Sequence, residues 1–467
     1  MCRCLAILSV ALAFSGCWPA LEHPPRLEST SMPASFPSED DAANSAQLAY
    51  NAFFTDPKLT ALIETALTNN QELNIVALEI DIAKTEIMTR EGEFLPRLDF
   101  KVGAGIEKVG KYTSQGAADE ANGVPEHLAD FQLGFSASWE IDIWSKLRNA
   151  TKAATLRYLG SVEGRKFAVS VLVAEIAESY YELLALDGQL DVLKQNISIQ
   201  KSALEVVRLQ KEAARVSELA VKRFEAEVLK NQSRLFTVQQ QIVEAESRIN
   251  FLVGRFPQTI DRSTESFATL VPATVHAGIP YQLLENRPDV KRAELALGAA
   301  KLDVKVAKAA FLPKLGIGAN IGYQSFDFLK MLATPASLLY SAGADLLVPL
   351  LNRKGLNADY YAANAKQMQA VVAYERAILK AYIEVANRVK LIGNLEQSYA
   401  LRSQEVEKLN ESVDISSRLF NSARADYMEV LLTRRDALES QMELIELRKQ
   451  QMTSVVGLYQ ALGGGWR

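Results

Sequence analysis

The chain has 467 residues, with 51 basic and 56 acidic side chains giving a formal charge of −5, and 48% of its residues are hydrophobic. A chain of this length ordinarily forms two or three domains, and no uninterrupted apolar run approaches the roughly 20 residues that a transmembrane helix needs. With mild acidity, no basic run and no aromatic–basic alternation, a nucleic-acid surface is excluded.

Arg3, the apolar stretch Leu5 to Phe14 and the junction Ser15-Gly16-Cys17 read as a processing signal over residues 1–16. The junction resembles that of bacterial lipoproteins, which implies lipidation of Cys17. With Trp18 rather than Asp after the cysteine, the resemblance implies an outer-membrane destination. An ordinary secretory signal cleaved nearby is the other reading. The cysteines are Cys2, Cys4 and Cys17, so processing leaves one and no disulfide within the mature chain.

Residues 17–55 are rich in Pro, Ser and Glu and show no period, as expected of an extended, lipid-anchored tether. A first repeat follows over residues 56–257. It opens with a helical segment from about Leu59 to Phe94. After Pro96, apolar residues alternate with polar ones from Leu98 to Ile106 and, beyond a polar loop, from Phe131 to Ile143. Strict alternation of this length predicts strands, about 98–109 and 129–143. Helices are then expected at about 145–213, near 100 Å long at 1.5 Å per residue, and at about 217–253. A linker at 258–279 leads to the second repeat, 280–467. There a helix starts at Pro288, strands are expected at about 315–323 and 338–348, and helices at about 352–421 and 427–462.

The two repeats are copies. Val162, Val169, Ile176, Leu183, Leu190, Ile197 and Leu204 recur at seven-residue spacing, and Val371, Ile378, Val385, Ile392, Tyr399, Val406 and Val413 repeat them about 209 positions later. Arg215 pairs with Arg424 and Gly254 with Gly463 at the same offset. Before the strands the offset is about 217, and it matches Asn69 with Asn286 and Phe94-Leu95-Pro96 with Phe311-Leu312-Pro313. A heptad sustained this long specifies helices packed along their length with a left-handed supercoil. The fold class expected is mainly α with β. Long antiparallel coiled-coil helices form an α-barrel, and four strands contribute to an oligomeric transmembrane β-barrel.

Membrane strands are favoured by their length, which reaches the 9–11 residues needed to cross a bilayer at a tilt, and by polar sides carrying Gly, Ser, Asn and charges. Sheet edges exposed to lipid leave backbone groups unpaired, so a spanning sheet must close, and the smallest single-chain barrels have about eight strands. Several chains must therefore share one barrel. A soluble sandwich in a periplasmic coiled-coil scaffold or adaptor without a pore is the competing reading.

The ordered set of the duplicated helix–hairpin–helix, Arg287-Pro288-Asp289-Val290, the paired Phe-Leu-Pro motifs and the terminal Tyr459-Gln460-Ala461-Leu462-Gly463-Gly464-Gly465-Trp466 resembles the TolC-like outer membrane factor family, and the start resembles its lipoprotein branch. The resemblance implies a homotrimer with a twelve-stranded barrel in outer membrane lipid. It also implies a passive exit duct docked to a periplasmic adaptor (membrane fusion) protein and driven by an inner membrane resistance-nodulation-division pump. It further implies that the tips of the long hairpins form the periplasmic entrance. Those tips are Lys211 to Leu219, with Ala214, Arg215, Ser217 and Glu218 as adaptor-docking candidates, and Asn421 to Glu429, with Ala423 and Arg424. Relatives commonly carry Gly where Ala213 or Ala214 and Ala423 stand. Acidic gate positions in relatives correspond to Glu429 and to Leu432, a departure that leaves one acidic ring. Glu429, with Asp426 and Met428 nearby, is the expected constriction. Arg435 or Arg424 is expected to tie neighbouring helices together.

No catalytic constellation is present, and no cofactor or metal is expected. Gly105 to Lys111 has phosphate-loop spacing, but Tyr112 follows where Ser or Thr should bind magnesium, and the segment alternates as a strand. His23, His127 and His276 are isolated.

Overall fold

The computed structural model describes residues 19–21, 23, 24, 26–36, 43–262, 267, 271–351, 353–422 and 424–467. The processing signal, Cys17 and Ala423 lie outside them. The helices are α1 (Pro57–Asn69), α2 (Gln71–Phe94), α3 (Ser114–Ala121), α4 (Lys146–Glu212), α5 (Glu218–Val253), α6 (Pro288–Ala309), α7 (Lys354–Asn421) and α8 (Tyr427–Ala461). The strands are β1 (Arg97–Glu107), β2 (Leu128–Ile141), β3 (Lys314–Ser325) and β4 (Leu338–Leu347). The chain divides into two compact units. One combines residues 80–160 and 294–373 with the described residues before Ser29, and the other combines 29–79, 161–293 and 374–467.

The first unit holds the sheet. Its strands are 11, 14, 12 and 10 residues long and lie antiparallel in the order β1-β2-β3-β4. The loop between β1 and β2, polar in sequence, contains α3. Thr113 starts this helix by accepting from the Gly116 N–H, and at 8 residues it is too short to show a period. Asp142 starts α4 at the other end of β2. Its two carboxylate oxygens accept from the Leu147 and Arg148 N–H groups at 3.1 and 3.0 Å.

The second unit is helical. The heptad seam of the first copy is buried at Val169, Ile176, Leu183, Ile197 and Leu204. In the second copy Val371, Ile378 and Val385 are buried, but Ile392, Tyr399, Val406 and Val413 are only half-buried in the single chain.

The helix expected without interruption from Leu59 to Phe94 breaks at Asn70, which is extended. Its side chain explains the break. The Asn70 carbonyl oxygen accepts from the Leu73 N–H at 3.0 Å and restarts the helix, while Nδ2 donates to the Leu252 carbonyl at 2.8 Å. The second copy does the same work with different chemistry, because the matching Arg287 donates through Nη1 to the Ala461 carbonyl at 2.8 Å. The duplicated glycines complete both junctions. Gly254 (φ +77) and Gly463 (φ +93) end their helices in the left-handed region. A Cβ on either would lie 2.4 Å from the carbonyl oxygen of Asn69 or Asn286 respectively. Pairs recognised separately in the sequence thus meet in space.

Glu178 on α4 has its pKa raised by burial, against the pull of Arg388 and Arg248 and with Glu175 adding to the rise. A carboxyl raised on folding holds its proton longer in the native state than in the unfolded chain. Stability therefore falls as pH rises from the unfolded pKa through the folded one, and the penalty is complete above the folded pKa. Glu178→Gln should raise the thermal midpoint at pH 7 and lose that advantage at pH 4 and below. An equal gain at both pH values would assign the effect to packing.

Candidate functional site

The sheet register gathers the alternating residues within the strands into rows on two faces. On one face Phe100 lies opposite Phe135 and Val102 opposite Leu133. Phe135 in turn lies opposite Ile321, and Ile321 opposite Tyr340. On the other face Asp99 lies opposite Ser136, Ser136 opposite Asn320 and Asn320 opposite Ser341. The apolar face is open: Val102, Ile106 and Tyr340 are 72%, 74% and 76% exposed. A soluble sandwich would cover these side chains, and nothing among the described residues does so. At the strand ends the indole of Trp139 donates to the Phe94 carbonyl at 3.0 Å, and that of Trp144 to the Pro313 carbonyl at 2.7 Å. Indoles in such places suit a membrane–water boundary.

At the strand ends the polar face borders a cavity of about 960 Å³ lined by Arg97, Glu140, Lys146, Lys314 and Asp345 among others. Glycine collects on this face, at Gly103 and Gly105 on β1, Gly134 on β2, Gly316, Gly318 and Gly322 on β3, and Gly343 on β4. Gly134 and Gly322 face each other. A Cβ on Gly134 would lie 2.6 Å from the Ile321 carbonyl oxygen, and one on Gly322 would lie 2.4 Å from that of Leu133. Backbones approach this closely where a sheet bends, and glycine on the inner face is how closing sheets turn. Among the described residues no strand lies beside the outer edges of β1 and β4.

The helical hairpins end in tips built alike and charged differently. At the first, α4 stops in a left-handed turn at Ala214 (φ +54). The Arg215 N–H donates to the Gln210 carbonyl at 2.8 Å and the Ala214 N–H to that of Lys211 at 2.9 Å, which is a Schellman stop. The second tip repeats the longer bond, from the Arg424 N–H to the Leu419 carbonyl at 2.9 Å. Ser217 and Asp426 stand at matching N-cap positions of α5 and α8, neither making a side-chain cap bond. Alanine in the left-handed region costs about 1–2 kcal/mol and glycine does not, while glycine loses about 0.5–1 kcal/mol through unfolded-state entropy. Ala214→Gly should therefore stabilise the tip by about 0.5–1 kcal/mol, read as a higher melting temperature in detergent. Ala213→Gly, one residue earlier, should not.

Phe224 anchors both tips. It is buried with Leu204, Val207, Ala220, Val221 and Val228, and Phe420, Tyr427 and Leu431 of the second hairpin pack on this cluster. Around it the first tip is laced by ion pairs. Lys211 bridges the turn to Glu218, Lys222 reaches Glu225 at 2.9 Å, and Arg208 joins Glu225 to Glu205 at 2.9 and 2.8 Å. The hydrogen bond from Lys211 holds the Glu218 carboxyl below its ordinary pKa. Among the described residues the second tip has no such ladder. Arg434 takes the position of Glu225 and donates to the Ser417 hydroxyl at 3.2 Å, and burial lowers its pKa.

Of the expected gate residues, Asp426 and Glu429 are exposed on the first turn of α8, as are Arg215, Ser217, Glu218 and Arg424 at the tips. Met428 is half-buried, with its sulfur accepting from Arg223 Nη1 at 3.3 Å. That link between hairpins carries no sequence signal, because the two residues lie in different repeats. Within the single chain Arg435 has a local partner. It bonds its neighbour Asp436 at 3.1 Å, and that bond, helped by Glu439 and by Glu227 of α5, raises its pKa. Among the described residues no helix is long and apolar enough to cross a membrane, and no cluster of His, Cys, Asp and Glu could hold a metal ion.

The model of the outer membrane efflux protein family matches residues 62–255 and 279–464. The chain is 29% identical to the pyoverdine export outer membrane protein OpmQ of Pseudomonas aeruginosa, over 89% of this chain and 86% of that protein. It is 26% identical to the cation efflux system protein CusC of Escherichia coli O6:H1, over 98% of each. Its fold matches that of the outer-membrane channel OprN with a TM-score of 0.85 at 21% identity, covering 95% of this chain and 99% of OprN. With the amphipathic open sheet and the long hairpins, these similarities show that the chain belongs to the outer membrane efflux protein family, as the outer-membrane channel component of a tripartite efflux system.

Proposed function

We propose that three copies of this chain close one twelve-stranded barrel and form a passive exit duct, with energy supplied by an inner membrane resistance-nodulation-division pump through a periplasmic adaptor. The observation that carries this reading is a four-stranded sheet with one exposed apolar face and two unpaired edges. In lipid those edges demand partners, and the β1 edge of one copy can satisfy the β4 edge of the next. The half-buried seam from Ile392 to Val413 also suits a helix that gains neighbours on assembly. Purification in detergent followed by mass measurement tests the assembly: a trimer that conducts in planar bilayers is expected. A monomer that stays soluble without detergent would refute it.

In this reading Cys17 carries the lipid anchor, the repeats span residues 56–257 and 280–467, and the tips at Ala214, Arg215, Ser217, Glu218, Ala423 and Arg424 meet the adaptor. Cargo choice resides in the pump, in keeping with relatives named for goods as different as pyoverdine and cations.

Glu429, exposed on the first turn of α8, supplies the acidic ring of the entrance, with Asp426 beside it. A ring of carboxylates favours cations in a narrow pore. Glu429→Ala should lower the cation preference and raise single-channel conductance. Unchanged conductance and selectivity would remove Glu429 from the gate.

A further inference from the structure

The two loops that join the strands have opposite chemistry. The β1–β2 loop carries Lys108, Lys111, Asp119, Glu120 and Glu126, with ion pairs Lys108–Glu126 and Lys111–Glu120 at 2.5 and 2.6 Å. The β3–β4 loop reads Phe326-Asp327-Phe328-Leu329-Lys330-Met331-Leu332. Phe326, Phe328, Leu329 and Leu332 are 63%, 63%, 91% and 64% exposed. Scattered apolar residues on a surface need no explanation, but a contiguous group does.

This loop is built to hold that group outward. Asp327 accepts from the Leu329 N–H at 3.0 Å and so starts a single turn of 3-10 helix, Phe328–Lys330. The Ser337 hydroxyl donates to the Lys330 carbonyl at 2.8 Å and closes the loop. Two contacts fix its side. The Phe328 ring lies edge-on to Phe131, with centroids 5.4 Å apart, and the Tyr323 hydroxyl is 3.1 Å from the Thr334 hydroxyl. Phe131 and Tyr323 both belong to the apolar face of the sheet, since Tyr323 pairs with Leu133. The loop therefore continues the apolar face beyond the ends of the strands.

We propose that the β3–β4 loop is a membrane anchor, seating Phe328, Leu329 and Leu332 in the outer leaflet with Lys330 at the level of the lipid phosphates. The occupant is lipid because the loop packs on the face already turned to lipid, and this inference rests on the proposed membrane position of the sheet. Lys330, 73% exposed at its side chain and 3.6 Å from Asp327, has the long stem that lets a cation reach the interface from an apolar neighbourhood. The β1–β2 loop has no comparable group and stays in water.

Spin labels on single cysteines in the full chain, reconstituted in phospholipid vesicles, test this. Leu329→Cys probes the loop, Val102→Cys the outward face of β1, and Tyr112→Cys the β1–β2 loop. The parent chain, whose Cys17 is the cysteine left after processing, serves as the labelling blank. Labels at 329 and 102 should relax more strongly with oxygen, which concentrates in the bilayer, than with a water-soluble nickel chelate, and the label at 112 should do the reverse. Nickel dominance at 329 with oxygen dominance at 102 would overturn the anchor and leave the membrane sheet standing. Protection from both reagents at 329 would overturn it in favour of a contact with another subunit. Nickel dominance at 102 would overturn the proposed function and the anchor with it.

Discussion

Gly322→Val should abolish trimers and cut the amount of protein in the outer membrane by an order of magnitude or more, and Gly134→Val should do the same. A Cβ at Gly322 would sit 2.4 Å from one backbone carbonyl oxygen and 2.7 Å from the Gly134 Cα. No rotamer relieves such a clash, because the obstacles are backbone atoms on the neighbouring strand. The strands must separate, and a separated ladder in lipid exposes several backbone groups at several kcal/mol each. Gly343→Val is the control: its face is the same, but nothing lies within 4 Å of its Cβ position. Gel-resistant trimer and outer-membrane yield measure the outcome. Wild-type yields from both bend variants would disprove the claim that the sheet turns at this pair.

Arg287→Ala is expected to destabilise each chain by about 3 kcal/mol. The guanidinium is 5% exposed and binds Asp289 through Nε and Nη2 at 3.0 and 2.7 Å, with Nη1 at 2.8 Å from Glu384. The same Nη1 donates to the Ala461 carbonyl, so truncation removes the bidentate partner of Asp289, leaves Glu384 its 3.5 Å pair with Lys380, and strands the end of α8. Lysine keeps the charge but cannot reproduce the planar fork, so Arg287→Lys should recover less than half of the loss. The matching residue in the first copy, Asn70, makes one bond across the junction and one cap. Asn70→Ala should therefore cost less, about 1–2 kcal/mol. Thermal unfolding in detergent at fixed protein concentration reads the order, and an Asn70 effect equal to or above that of Arg287 would reject the account.

Much of this architecture was legible because it is periodic. Seven-residue spacing located α4 and α7, and two-residue alternation located the strands. The sheet register confirms the alternation, since Phe100, Phe135, Ile321 and Tyr340 fall in one row. What lacks a period stayed hidden. Asn70 breaks a helix inside an apolar pattern because one side-chain amide serves two elements distant in sequence. Gly254 and Asn69 were visible as members of separate matched pairs, but their contact is tertiary. The charged tips were located by position, whereas the Arg223–Met428 link and the ion ladder of the first tip depend on which helix faces lie together.

If the tips line the mouth of the proposed duct, their inequality has a consequence there. One hairpin end is zipped by Arg208, Lys211 and Lys222, and its twin carries an interior arginine in place of that zipper. In the proposed trimer, a ring that alternates such ends has three-fold rather than six-fold character, so a docking protein that grips every end meets two distinct footholds. Salt weakens exposed ion pairs, and so raised ionic strength should slacken every second leaf of the iris and leave the others taut.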